Sequence, residues 1–169
     1  ILLDAYHLNS RMDHRGGWGF EENTGDGAGI LTSIPHSFFH GIAKQIGIEL
    51  PEKTPFAVGN LFLPISKDDI AYCKQIIERI IVSHGQTVIG WRCLPTDAKG
   101  AKIGPAAADA MPSMHQLFVG SNESSVSAFE RALYIIRKEF TTDLRNDENI
   151  NKTGMVYACS LSSKTIIYK

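Results

Sequence analysis

Val126, Phe129, Leu133, Ile136 and Phe140 recur at intervals of three and four residues. That spacing lays them along one stripe of an α-helix, and such a stripe must be covered by another apolar surface in water. Asn122 is the expected N-cap of this helix. A second stripe, Ile70, Cys73, Ile77, Ile80 and Ile81, follows Ser66-Lys-Asp-Asp69 and stops at His84-Gly85. The opening is a capping box with Asp in place of Glu. Pro35 opens a third helix, with Phe38, Phe39, Ile42 and Ile46 on its apolar face and Gly47 as its stop. Residues 2–14 predict a helix before it, ended by Gly16-Gly17. Strand-like runs lie between and after these helices at 29–34, 56–63, 87–91, 115–119, 155–161 and 165–168. A polar stretch, 141–154, precedes the last two, which are expected to form a hairpin around Ser162-Ser163-Lys164. Helices and strands mixed in this order predict an α/β or α+β domain with a sizeable core.

Composition narrows the function classes. With 169 residues, no internal repeat and no obvious linker, the expectation is one domain or part of one. Seventeen Lys and Arg against eighteen Asp and Glu leave a formal charge of −1, so no global field favours nucleic acid or an anionic membrane. The longest apolar run, Ile76-Ile77 then Ile80-Ile81-Val82, is broken by Glu78 and Arg79 and falls far short of a membrane span. Three cysteines are too few for a disulfide scaffold, and an odd count favours a reducing compartment. No secretory signal pattern opens the chain, and Ile1 in place of Met points to a cut or an internal piece.

Six of the fifteen glycines fall between Gly16 and Gly29, around the segment Thr24-Gly-Asp-Gly-Ala-Gly-Ile30. A phosphate cradle needs backbone amides converging at a helix N-terminus. Here a dinucleotide fingerprint fails, because Ile30 stands where the third glycine would be, and no Lys-Ser or Lys-Thr pair follows to make a P-loop. The segment also precedes a strand, so a tight structural turn is the favoured reading over phosphate or nucleotide binding.

Other candidates are weaker. Cys73 lies on a helix stripe, Cys159 in a strand and Cys93 beside Arg92, with no Cys-x-x-Cys pair for zinc or redox chemistry. His36 and His40 share a helix face, but Ser37 stands where a zinc-protease glutamate would be, so a solvated face is expected and no metal site. Asn122-Glu-Ser124 and Asn151-Lys-Thr153 match the glycosylation pattern without a secretion signal to support them. The triplet His14-Arg15-Gly16 stands at a helix end beside the glycine-dense segment. Either the His14 and Arg15 side chains meet the helix's last carbonyls, or Arg15 projects into a site and holds a carboxylate or nucleophile.

The run RMDHRGGWGFEENTGDGAGILTSIPHSFF, residues 11–39, resembles the segment near the N-terminus of the glutamate synthase large subunit. There a His-Arg-Gly triplet precedes a Thr-Gly-Asp-Gly-x-Gly turn and a Pro-His-x-Phe-Phe-type helix start. FAVGNLFLP at 56–64, VIGWRCLPTD at 88–97 and YACSLSSKTIIYK at 157–169 resemble later stretches of that family in the same order.

The resemblance implies that residues 1–169 are part of a single class II glutamine amidotransferase domain of the N-terminal nucleophile hydrolase type. The implied fold is α+β, a four-layer αββα sandwich incomplete at both ends. The implied reaction hydrolyses glutamine to glutamate and ammonia, using a Cys whose own α-amine is the general base. That Cys is expected upstream of Ile1, the oxyanion-hole and main glutamine-binding residues beyond Lys169, and the chain alone is expected to be inactive. Arg15 carries over as a possible site-orienting residue, with His14, Gly16, Thr24, Gly25, Asp26, Gly27 and Gly29 as the substrate-adjacent motif. Gly17-Trp18-Gly19-Phe20 departs from the small-residue, cysteine-containing version common in the family. No cofactor is expected in this chain. FMN and an iron–sulfur cluster are expected in other domains of the same polypeptide, with electrons from ferredoxin or an NAD(P)H-linked subunit. The implied compartment is the cytoplasm or the interior of a plastid or other organelle. A competing reading is a non-catalytic binding or scaffolding module that keeps the fold without the nucleophile.

Overall fold

Side chains alternate along a strand, so in FAVGNLFL the residues Ala57, Leu61 and Leu63 share one face and Phe56, Val58 and Asn60 the other. All but Phe62 are buried, as for a strand covered on both sides. The computed structural model describes residues 2–21, 24–151 and 156–168. In chain order its elements are α1 (Leu2–Arg11), β1 (Ile30–Ser33), α2 (His36–Gln45), β2 (Phe56–Leu63), α3 (Lys67–Ser83) and β3 (Thr87–Cys93). There follow α4 (Pro105–Asp109), β4 (Ser113–Gly120), α5 (Val126–Asn146), α6 (Glu148–Asn151), β5 (Tyr157–Ser162) and β6 (Thr165–Tyr168). The protein is a mixed α+β structure with antiparallel sheets.

Four strands pair in the order β3-β4-β2-β5, every neighbour antiparallel. Along the chain these strands and the two long helices read β-α-β-β-α-β. β4 separates the strands joined by α3, and β2 separates those joined by α5. This is the split β-α-β arrangement of ferredoxin-like folds. Its helix-covered face joins Ala57, Leu61, Leu117, Val119 and Leu161 to Cys73, Ile77 and Ile81 of α3 and to Phe129, Leu133, Ile136 and Phe140 of α5. The opposite face packs Phe56, Val58 and Phe118 against Phe39 and Ala43 of α2 and Ile166 of β6. β1 and β6 form a separate two-stranded sheet, in register Ile30↔Tyr168 to Ser33↔Thr165.

Several expectations need correction. The last two strands are not a hairpin: β5 belongs to the four-stranded sheet and β6 to the other. Ser162 Oγ accepts from the amides of Lys164 (3.0 Å) and Thr165 (3.3 Å), bending the chain out of the first sheet. Glu130 of α5 fixes this crossover by accepting from Ser163 N at 2.7 Å, Ser163 Oγ at 2.6 Å and Ser162 Oγ at 3.0 Å. Asn122 does not cap α5. Its Nδ2 donates to Gly85 O (2.8 Å) and Thr87 Oγ1 (3.0 Å), and Ser125 takes the cap, its Oγ accepting from Ala128 N at 3.2 Å. The polar reading of 141–154 misses that Leu144, one turn beyond Phe140, continues the buried stripe, so α5 runs to Asn146. Residues 152–155, including the expected strand start at 155, lie outside the described residues. The first helix stops at Arg11, and Asp13–Arg15 form a separate 3₁₀ turn before Gly16. Ser66 caps α3 as expected, accepting from Asp69 N at 3.5 Å, and Gly47 and Gly85 adopt φ of +73° and +74° at their helix ends. Among the described residues no helix is long and apolar enough to cross a membrane.

One buried polar residue makes this core pH-sensitive. His115 on β4 is 6% exposed, with Nε2 2.9 Å from Ser113 Oγ and no partner at Nδ1 among the described residues. Burial, with a smaller contribution from the Lys74 ammonium, lowers its pKa from 6.5 to about 4. The folded state therefore holds the neutral ring, and its stabilising contribution is complete above pH 6.5 and is lost as pH falls toward about 4. Urea unfolding midpoints should fall across that window, with a shallower slope in His115→Gln. In the helix layer, Phe140→Ala should cost about 3–5 kcal/mol. Tyr134→Ala, on the exposed side of the same helix at 58% exposure, should stay within about 0.5 kcal/mol by the same measurement.

Candidate functional site

Glycines allow the chain after α1 to double back on itself. Met12 N donates to Leu8 O and Asn9 O (both 3.1 Å), Arg15 N to Met12 O (2.8 Å) and Gly16 N to Asp13 O (3.0 Å), which closes the helix end. The chain then folds into a small antiparallel turn with Trp18 bridged to Gly25. Gly19 N donates to Thr24 O (2.7 Å), Asp26 N to Gly17 O (3.0 Å), and Gly17 N to Asp26 Oδ2 (2.8 Å). A Cβ on Gly25 would stand 2.5 Å from Gly17 O, and Gly27 has φ +74°, so neither position suits a larger residue.

The tip of the turn is anchored far along the chain. Glu21 accepts from Ala106 N (2.9 Å) and Ala107 N (3.4 Å), the first amides of α4. Gly104, the N-cap of that helix, has no side chain to satisfy them, and a carboxylate also suits a helix N-terminus. The sequence reading did not find α4 or this contact. The Pro105 start was the available signal for the helix, but nothing in sequence pairs Glu21 with it.

A concavity of about 730 Å³ opens between the turn and the end of α1. Gly16, Thr24, Gly25, Asp26, Gly27 and Gly29 line it, together with Asn9 and Asp13. The structure thus brings together most of the motif residues singled out in sequence. The side chains of His14 and Arg15 are exposed and are not part of this lining. His14 Nδ1 lies 2.9 Å from Arg11 O, at the helix end. Chemically, the wall is mixed, with Met12, Trp18, Ala28 and Ala101 beside the polar residues. The amides of Gly17, Gly19 and Asp26 are spent inside the turn, and Asp13 and Asp26 bring negative charge. The two carboxylates suit an ammonium or amide N–H.

The other candidates resolve on packing. His36 and His40 are not simply solvated: their rings stand edge-on to Phe56, with centroids 5.3 and 5.6 Å away. Cys73 is buried on α3, and burial, with Asp69 second, pushes its thiol up to about 11. Cys159 is buried and Cys93 exposed. Arg92 leans away from Cys93, donating from Nη1 to Gln116 Oε1 at 3.0 Å. Among the described residues no three His, Cys, Asp or Glu side chains could hold a metal ion. Of the second glycosylation pattern, Lys152 and Thr153 lie outside the described residues.

The sequence profile of the class-II glutamine amidotransferases matches residues 1–169. The chain belongs to this family. Among curated relatives, the chain is 38% identical over 171 residues to the NADPH glutamate synthase large chain of Bacillus subtilis. It is 34% identical over 170 residues to the chloroplastic ferredoxin-dependent glutamate synthase of Oryza sativa. Against the NADPH glutamate synthase large chain of Azospirillum brasilense it is 40% identical over 158 residues. The first two alignments cover the whole chain and the third 92% of it. The chain spans only about a tenth of each relative, 11%, 10% and 10%.

Two glycines separate this amidotransferase turn from ordinary helix chemistry. Gly25→Ala should destabilise the protein by about 1–3 kcal/mol, the cost of overpacking against backbone that cannot give. Amide exchange at Gly17, Gly19 and Asp26 should accelerate with it. Gly41→Ala in α2, where a new Cβ meets nothing within 4 Å, should instead stabilise by about 0.5–1 kcal/mol.

Proposed function

We propose that this chain is the part of a glutamate synthase glutaminase domain that builds one wall of its glutamine site. One observation carries the reading. Gly16 and the Thr24-to-Gly29 turn, the residues that match the family motif, fold together into one concavity that also holds the carboxylates of Asp13 and Asp26, in a chain matched end to end by the family profile. In the proposed reaction a cysteine thiolate upstream of Ile1 attacks the side-chain amide carbon of glutamine. The C–N bond breaks, ammonia leaves with the proton delivered by the α-amine, and water hydrolyses the thioester to glutamate. Asp13 and Asp26 present acceptors to the substrate's ammonium or amide N–H. Arg15, next to Gly16 of the lining, is the positioning residue for the nucleophile.

In this proposal β1 and β6 belong to a sheet of a four-layer sandwich that other segments of the domain complete. The ammonia passes to a synthase domain of the same polypeptide that makes a second glutamate from 2-oxoglutarate, in the cytoplasm or an organelle interior. FMN and an iron–sulfur cluster would supply redox chemistry there. This chain's cysteines sit on three separate elements, α3, the end of β3 and β5, so its residues do not fit an iron–sulfur cluster, and no step here runs through either group.

Ammonia release from glutamine tests the reading. The full-length polypeptide that carries this chain should turn over, and Arg15→Ala should lower kcat/KM by roughly 100-fold, as expected for lost positioning of a reacting group. The 169-residue chain alone should release nothing above background. A full-length polypeptide without glutaminase activity would favour the non-catalytic module, and activity indifferent to Arg15→Ala would overturn the positioning role of Arg15.

A further inference from the structure

Three polar residues stand in a row across the buried face of the four-stranded sheet. Asn60 of β2 is opposite Gln116 of β4, and Gln116 is opposite Arg92 of β3. Alternation places all three on the side away from α3 and α5, where the same strands carry Phe56, Val58 and Phe118. Polar groups at such positions are costly unless bonded, and here the bonding is incomplete.

Gln116 is fully buried; its Oε1 accepts from Arg92, its Nε2 meets no partner at hydrogen-bond distance among the described residues, and the Tyr168 phenol interacts with the same amide. Asn60 is 4% exposed; its Nδ2 donates to Ile167 O at 2.7 Å, and its Oδ1 has no partner among the described residues. One orphan is a donor and the other an acceptor, on facing residues. Both residues line a cavity of about 320 Å³ between the sheet and β6. Arg92 lines it too, no Asp or Glu does, and no ion pair to Arg92 occurs among the described residues. Burial holds the Tyr168 phenol above its ordinary pKa, so it adds no negative charge. The rest of the wall is largely apolar, with Phe62 and Met114 among it.

We propose that this cavity binds a small aliphatic α-amino acid, at a site separate from the glycine-rich turn. Its carboxylate meets the Arg92 guanidinium and Gln116 Nε2, its ammonium donates to Asn60 Oδ1, and its side chain packs on Phe62 and Met114. The match is one of charge and of donor to acceptor: a cation with no acidic partner among the described residues, beside an amide N–H, calls for an anion, and the adjacent carbonyl calls for a donor. The inference stands apart from the glutaminase reading, since the two share no residue.

L-norvaline is the probe, titrated calorimetrically into the full-length polypeptide that carries this chain, with valerate and n-pentylamine as analogues lacking the ammonium or the carboxylate. Norvaline should bind saturably, valerate more weakly, and pentylamine not at all. Arg92→Met and Gln116→Leu should each weaken norvaline on the order of tenfold or more, the worth of a charge-assisted or buried hydrogen bond. Arg92 is half-buried on an edge strand, so R92M leaves the apolar packing in place, and it decides the matter if Q116L fails to fold. Arg15→Ala should leave norvaline binding unchanged. The proposal falls if norvaline does not saturate and ordered water alone fills the cavity, if pentylamine binds as well, if R92M binds norvaline like the parent, or if R15A abolishes binding.

Discussion

Everything in this structure hangs on the apolar layer between two helices and one face of a four-stranded sheet. α3 and α5 each bring a continuous stripe, and β2, β4 and β5 bring the surface that covers it. Because neither helix could stay folded in water with its stripe bare, and the sheet needs a cover for the same face, the three form together or not at all. The split β-α-β order then follows from chain economy. Each long helix returns the chain to a strand two places away, and the gap is filled by a strand from the other unit. This frame leaves the second face of the sheet to α2 and β6, which is where the polar row of Asn60, Gln116 and Arg92 interrupts the packing.

The glycine-rich turn depends on that frame at second hand. Its own bonds, Gly17 with Asp26 and Gly19 with Thr24, give it a shape but no position. Position comes from β1, which pairs with β6, and from Glu21, which reaches the first turn of α4. Both anchors belong to distant segments, so the concavity is assembled by the tertiary structure around a turn whose local conformation glycine permits.

How much of this could be read in advance varied with the physics behind each element. The long amphipathic helices declared themselves, because a stripe at helical spacing has few other uses. Leu144 shows the limit: counting 141–154 as polar ignored that one apolar residue at the right phase is enough to carry a helix another turn. Asn122 was a chemically sound cap, but its amide was claimed by Gly85 and Thr87, a competition visible only once the loops are neighbours. The hairpin expectation failed because Ser162 spends its hydroxyl on bending the chain and Glu130 arrives from a helix to fix the bend. The motif residues of the turn were found in sequence through their resemblance to a family, and the structure brings most of them to one wall. The inward polar row left a trace in the strand itself, since Asn60 interrupts an otherwise apolar FAVGNLFL.

The pairing of β1 with β6 also sets an order of events. The partner of Ile30 is Tyr168, at the far end of the described chain, and the whole ferredoxin-like unit lies between them. Closing so long a loop is entropically unfavourable until the intervening unit has condensed and brought the two ends near each other. During synthesis from the N-terminus, β1 must therefore wait for its β6 partner until that strand emerges. The glycine-rich turn is the earliest of these parts to be made and among the last to be held in place.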